Sequence, residues 1–461
     1  MKALFAVWIE PRGPLPAERQ LFSNRQLYKL IVPMMVEQVL ALLVGLADTL
    51  MISYAGEAAV SGVSLVNQLN NIFIFIFGAV ASGGAVIASQ YVGKGDRENG
   101  LTVSGQLITL TLIISMALTV FAVAAREPLL GLLFGRVESD VMSAALTYLV
   151  VTALSFPALA LYNTSVSVFR SMSRTKAVMN VSLIANAVNL IGNAIGIFLL
   201  HAGVMGVAVP TLISRVLSAV IMLVLARNPR NILHIRLRDV LAWHPAMIRR
   251  VLRVALPNGF ESGLFHIAKV ALSGIVALFG TSQIAANGIA QSFWSMAALF
   301  SSAMGYAFVT VIGQCIGAGD AEAADYYCVK LLKLTYLCGV LWNLITLAAA
   351  PIVLRLYSLS AETSRLVLIL VLIHNCGCAV FSPIAFALSS GLRAAGDIRF
   401  TVAAGIFSTV VCRVVFSVVF GIWLGLGVIG IALAMVADWA IRAGMILWRY
   451  RSEKWKTFRL I

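Results

Sequence analysis

Charge is scarce in this chain, and negative charge is scarcest. Of 461 residues, 11% are charged, and only 19 are acidic against 34 basic. Soluble domains carry about 25% charged residues, so the shortage excludes an ordinary soluble fold. Cysteine is absent until Cys315. Cys315, Cys328, Cys338, Cys376, Cys378 and Cys412 then lie in or beside apolar runs, without zinc-ligand spacing. Cys376 and Cys378 point to different sides of a helix, so the thiols read as core packing. No metal site and no cofactor are expected. No cleavable leader is expected either: the apolar run Ala3–Ile9 is at the lower limit for one, and no small-x-small motif follows it. Residues 1–26 are read as a cytoplasmic tail.

What fills the chain is apolar. Hydrophobic residues make up 60% and mean hydropathy is +0.94, the composition of a polytopic membrane protein. A span needs about 20 apolar residues. The pattern predicts an all-α protein of twelve transmembrane helices near 27–52, 60–91, 99–124, 140–168, 177–200, 204–226, 250–278, 284–316, 322–349, 365–391, 400–423 and 428–449. The net charge of +15 then concerns orientation and not nucleic acid. Lys94, Arg97, Arg170, Arg174, Lys176, Arg393, Arg399, the linker arginines and the C-terminal Arg449–Arg459 cluster fall on one side, with both termini. Arg126, Arg136, Arg355 and Arg365 fall on the other. The positive-inside rule makes the first side cytoplasmic.

The chain repeats itself. At an offset of 224, Arg25 falls on Arg249, Pro33 on Pro257, Glu37 on Glu261, Gly56 on Gly280, Gln90 on Gln314, Gly95 on Gly319 and Asp96 on Asp320. Membrane helices seldom carry such residues, so their agreement is informative. The later part repeats with a slip of about one residue: Arg170 against Arg393, and Gly203-Val-Met-Gly206 against Gly427-Val-Ile-Gly430. The expected domains are an N-lobe (27–226), a cytoplasmic linker (227–249), a C-lobe (250–449) and a tail (450–461). Two parallel lobes of six helices about a midplane site are a transporter architecture. Gly93-x-Gly95-Asp96 and Gly317-x-Gly319-Asp320 are expected to form tight turns.

Ionisable side chains within membrane helices are functional candidates, because charge in hydrocarbon costs at least about 2.5 kcal/mol. The first lobe offers Glu37, Asp48 and Arg215; the second offers Glu261, His266, Lys269, His374, Arg413, Asp438 and Arg442. Glu261 and Lys269 are two turns apart and read either as a salt bridge or as functional groups. Asp438 and Arg442 read as an i, i+4 ion pair. Asp48 has no cation on its own helix, and its repeat partner is Leu272, so architecture alone does not account for it. Asn186, Asn189 and Asn193 form one amide stripe. Asn67, Gln68, Asn70 and Asn71 cluster on the second helix. Amides of this kind either join helices or supply cavity oxygens. His234-x4-Asp239 has acyltransferase spacing, but it lies in a basic stretch read as solvated linker, and no catalytic loop follows.

Pro33-x3-Glu37-Gln38, Asp48-Thr49, Ser89-Gln90-x2-Gly93-x-Gly95-Asp96, Arg170 and Arg393-x2-Gly396-Asp397 resemble the multidrug and toxic compound extrusion (MATE) family, nearest its bacterial DinF-like branch. So does Asn189 with Gly203-x2-Gly206-Val-Ala-Val-Pro-Thr211. The resemblance implies a V-shaped pair of lobes in the bacterial cytoplasmic membrane. It also implies antiport of organic, mostly cationic, compounds or drugs against H⁺ or Na⁺ by a functional monomer that is not an enzyme. It places a cation-coupling site at Asp48, Asn189 and Thr211, with Asn193 where related members have an acid. Glu37, Gln38, Asn67, Asn70, Glu261 and Lys269 are candidate cavity or substrate residues. A lipid-linked oligosaccharide flippase of the same superfamily is the alternative; Arg215, Lys269 and Arg413 are few cations for its pyrophosphate.

Overall fold

Within hydrocarbon each backbone N–H and C=O has to find a partner inside its own segment, and the spans of the computed structural model are accordingly helical. The structure describes residues 11, 13, 15–135, 137–355 and 359–461. The run Ala3–Ile9 and Arg136 lie outside the described residues. The spans are α1 (Asn24–Ser53), α2 (Glu57–Lys94), α3 (Arg97–Ala124), α4 (Ser139–Leu154 with Phe156–Ser171), α5 (Thr175–Leu199), α6 (Met205–Ala226), α7 (Pro245–Ala277), α8 (Thr281–Gly317), α9 (Ala321–Leu354), α10 (Ala361–Ala394), α11 (Ile398–Trp423) and α12 (Gly427–Arg451). Each lies within a few residues of its expected place. One is not straight: α4 bends by 46° at Ser155.

That bend has a cause in the sequence. Pro157 has no N–H, so the carbonyl of Ala153 loses its helical partner. The Thr119 hydroxyl on α3 donates to this carbonyl at 3.1 Å. Pro33 inside α1 does the same to Lys29. There the Thr175 hydroxyl donates to the Lys29 and Leu30 carbonyls at 3.1 and 2.9 Å. Proline is tolerated in these spans because a neighbouring hydroxyl takes the freed acceptor.

The helices gather into two compact units, Tyr28–Gly259 and Phe260–Ile461, the second also containing the residues up to Leu27. These bounds differ from the expected lobes, because each lead-in segment packs with the other copy. The linker is not merely solvated. Gln106 on α3 donates to the Asp239 and Ala242 carbonyls, both at 2.6 Å, and accepts from the His244 N–H at 3.0 Å. Thr109 donates to the Val240 carbonyl at 2.5 Å, and Arg236 reaches Glu98 at 2.9 Å. In the second unit the lead-in Arg19 reaches Asp320 at 2.5 Å and Glu322 at 2.6 Å. The Tyr327 hydroxyl accepts from Phe22 N–H at 2.9 Å and donates to its carbonyl at 2.7 Å.

The repeated turns form at one glycine of each pair. Gly95 and Gly319 adopt φ of 72° and 79°, a region that favours glycine, while Gly93 and Gly317 remain helical. Asp96 and Asp320 then cap α3 and α9 by accepting from the N–H of Asn99 (3.2 Å) and Ala323 (2.9 Å).

The one-residue slip in the repeat also has a structural location. α11 contains a π-helical segment, Phe407–Cys412, that α5 lacks; both helices have a further π segment near their ends, Ile195–Leu199 and Ser417–Trp423. A π segment holds an inserted residue within a continuing helix. Before it, Arg170 and Arg393 are 223 apart; after it, Gly203 and Gly427 are 224 apart. Arg413, the first residue past the segment, therefore stands at the repeat position of Asn189.

Candidate functional site

In the first unit, helical periodicity puts Asn189 and Asn193 one turn apart on the buried side of α5, with 6% and 0% exposure. Asp48, half-buried on α1, accepts from the Asn193 amide at 2.7 Å. Asn193 Nδ2 also lies 3.4 Å from Asn189 Oδ1, and Asn189 donates to the Thr211 hydroxyl at 3.2 Å. Thr211 in turn donates to the Val207 carbonyl at 2.8 Å. The structure thus joins all four expected cation-coupling residues into one polar chain. Asn193 Oδ1 is buried without a hydrogen-bond partner, an acceptor left available beside the carboxylate. Asn186 does not join this chain; its amide turns along α5 to Ser182 at 3.5 Å. Among the described residues no three His, Cys, Asp or Glu converge as metal ligands, so an ion here would meet mainly amide and hydroxyl oxygens.

Three neighbours complete the surroundings. Arg215 on α6 donates to the Ser155 hydroxyl, at the α4 bend, at 2.7 Å. The buried Tyr148 lies within the electrostatic reach of both Asp48 and Arg215, and Asn67 is in hydrogen-bonding reach of its hydroxyl. Asn70 donates to Thr152 at 3.1 Å. Sequence reasoning missed Ser155 and Tyr148. Only Pro157, two residues past Ser155, signals that the helix opens a hydroxyl there.

The two glutamates have different company. Glu37 and Arg170 form an ion pair at 2.8 Å, both side chains 11% exposed, and Gln38 beside them is half-buried. Glu261 does not pair with Lys269. It meets Arg393 at 2.8 Å and Arg442 at 2.7 Å, because Gly405, without a side chain, leaves room for its carboxylate. Arg442 therefore does not pair with Asp438, which instead faces Arg413 at 4.0 Å. At Glu261 two arginines from other helices displace the lysine, since a planar fork fits a carboxylate in two directions; Arg442, engaged there, is not available to Asp438. Lys269 lines a cavity together with Arg413 and His374. Asp239 is buried against Arg236 at 2.5 Å, so its carboxylate is engaged away from the acyltransferase pattern.

Comparison with known proteins agrees with the twofold repeat and the all-helical fold. The MatE family model matches residues 33–195 and 257–419, two stretches displaced by the same 224 residues as the internal repeat. An uncharacterized transporter, YisQ, of Bacillus subtilis is 29% identical over 93% of this chain and 94% of its own. A probable multidrug resistance protein, NorM, of Thermotoga maritima is 24% identical over 96% of this chain and 95% of its own. An outward-facing multidrug resistance MATE transporter of the MOP superfamily superposes with a TM-score of 0.89. It is 20% identical over 97% of this chain and 100% of that one. With both repeats matched and nearly the whole chain covered, this multi-pass membrane transporter belongs to the MATE family.

Proposed function

We propose that the chain is a secondary antiporter of the bacterial cytoplasmic membrane, exporting organic compounds in exchange for a cation taken up at Asp48. The observation that carries the reading is the continuous chain from Asp48 through Asn193 and Asn189 to Thr211. A carboxylate at this depth has to be matched by donors or by a cation. Ionised Asp48 accepts from the Asn193 amide. Protonated Asp48 instead donates, and the unpartnered Asn193 Oδ1 becomes its acceptor when the amide turns over. The two states of the carboxyl thus require different orientations of the Asn193 amide on α5. Such a difference in contacts is what lets an ion move a conformational equilibrium. If Na⁺ is the coupling ion, the same turn of Asn193 presents an oxygen beside Asp48, with Asn189 and Thr211 next in line. The basic lead-ins and tails, with both termini, are placed inside by the positive-inside rule. The multidrug resistance names of the relatives support organic compounds as substrates, and the family reading expects many of them to be cations.

The test is reconstitution in proteoliposomes, with ethidium as the reporter and a proton or Na⁺ gradient imposed separately. Wild type should extrude ethidium under one of the two gradients. Asp48→Asn, close in shape, should fall to the rate seen without a gradient while folding normally. Wild-type extrusion by Asp48→Asn would overturn the reading.

A further inference from the structure

We propose that the cavity of the second unit is a binding site for a small organic anion: one oxyanion group, carboxylate or phosphonate in type, on an apolar or aromatic body. The cavity, about 210 Å³, lies among α7, α8, α10, α11 and α12. It is smaller than the roughly 300–1,000 Å³ of drug-sized sites, so it suits a single ring or short chain.

Its charges have one sign. Lys269 and Arg413 line it, and no aspartate or glutamate does. Arg413 has Asp438 at 4.0 Å. Lys269 has no carboxylate in ion-pair range among the described residues; the charged group that acts on it is Arg413, of like sign. An ammonium in a membrane helix without a counter-ion is rarely kept for architecture, since structural pairs satisfy their charge. The other polar walls also offer unused valences. His374 is 1% exposed, and its Nδ1 has no hydrogen-bond partner; Arg413, 7% exposed, has none at Nε. Buried polar atoms are seldom left in this condition, and an oxyanion supplies an acceptor for the Arg413 Nε–H. Asn287 and Gln291, one turn apart on α8, add amide donors. Trp294, Phe265 and Met435 provide the apolar walls, and the Phe265 ring lies 5.8 Å from the Arg413 guanidinium, holding it in place.

The repeat gives a control within the molecule. Gly45 stands where Lys269 does, and Asn189 where Arg413 does, so these cations are not part of what the two copies share. The inference rests on the antiporter reading only in treating the bound anion as cargo; the site itself does not involve Asp48.

The experiment is calorimetric titration of the purified full-length protein in detergent with four shape-matched probes. These are phenylacetate, phenylphosphonate, neutral phenylacetamide and phenethylammonium. Wild type should bind at least one anion about tenfold or more tighter than the amide. Lys269→Gln should remove that preference, and Lys269→Glu should transfer it to phenethylammonium, which a merely structural lysine would not do. Equal binding of anions and amide, binding of none of the probes, or an anion preference that survives Lys269→Gln overturns the proposal. Because Arg413→Gln exposes Asp438 and risks the fold, the Lys269 variants carry the test. Ethidium efflux driven by a gradient through Asp48 can persist when this binding fails, and the reverse, so the two proposals fail separately.

Discussion

The two copies of the repeat agree about one ion pair and differ in the other charged groups they bury. Glu37 with Arg170 and Glu261 with Arg393 sit at matching positions, each at 2.8 Å. Past that pair, the first unit runs an uncharged amide and hydroxyl chain to a lone acid, Asp48. The second puts Leu272 in place of the acid and surrounds a cavity with Lys269, Arg413 and His374. What the copies share is the framework that orders helices. What they do not share is where chemistry is to be sought. A duplicated chain thereby contains its own control.

The comparison can be broken directly. Leu272→Asp installs the first unit's acid in the second, beside Lys269. It should cancel the anion preference of the second cavity, read by titration, and leave gradient-driven ethidium efflux near wild type. If efflux collapses instead, the units do not divide the work in this way. The shared ion pair should dominate stability. Glu37→Gln removes the buried carboxylate that Arg170 pairs with at 2.8 Å and should cost about 3–5 kcal/mol. Glu261→Gln removes a carboxylate shared by Arg393 and Arg442 and should lower the thermal midpoint further. Equal midpoints would mean that the second arginine adds nothing.

A smaller effect should follow from Thr175→Val, which removes the hydroxyl from the carbonyl freed by Pro33. About 1 kcal/mol is expected from thermal unfolding; no loss would show that the freed carbonyl is satisfied in another way. The smallest concerns the helix caps. Asn99 holds the Asp96 carboxyl below the ordinary carboxylate range, and Arg19 does so for Asp320. A depressed folded value contributes stability that is present above the unfolded pKa and is lost as pH falls through the folded one. Both caps should therefore weaken between about pH 4 and lower values. The Asp320–Arg19 pair, at 2.5 Å, should also weaken with added salt, and more than the Asp96–Lys94 pair at 3.8 Å. Measured melting of Arg19→Gln, with and without salt, checks this: its salt dependence should shrink.

Much of this was legible before any coordinates, and the parts that were not share a cause. Helix positions follow from apolar length, and the two lobes from an offset visible at Pro, Glu, Gly and Asp. The polar chain at Asp48 was approachable because Asn189 and Asn193 are one turn apart, a local relation, with Asp48 and Thr211 supplied by family resemblance. The partner of Glu261 was not, because Arg442 lies 181 residues away while Lys269 stood at a tempting helical spacing. The gathering of Lys269, Arg413 and His374 needs three helices to be placed in space. The engagement of the linker through Gln106 was hidden for a similar reason: a polar loop reads as solvated until its carbonyls are seen to be taken.

The π segment in α11 has a practical consequence for anyone who would exchange parts between the copies. One inserted residue turns the rest of an α-helix through about 100°, so α5 and α11 follow one alignment above Phe407 and another below Cys412. A chimera spliced by a single constant offset would present the wrong face to the lipid on one side of the junction. The bulge has to travel with the graft, or the graft has to stop short of it.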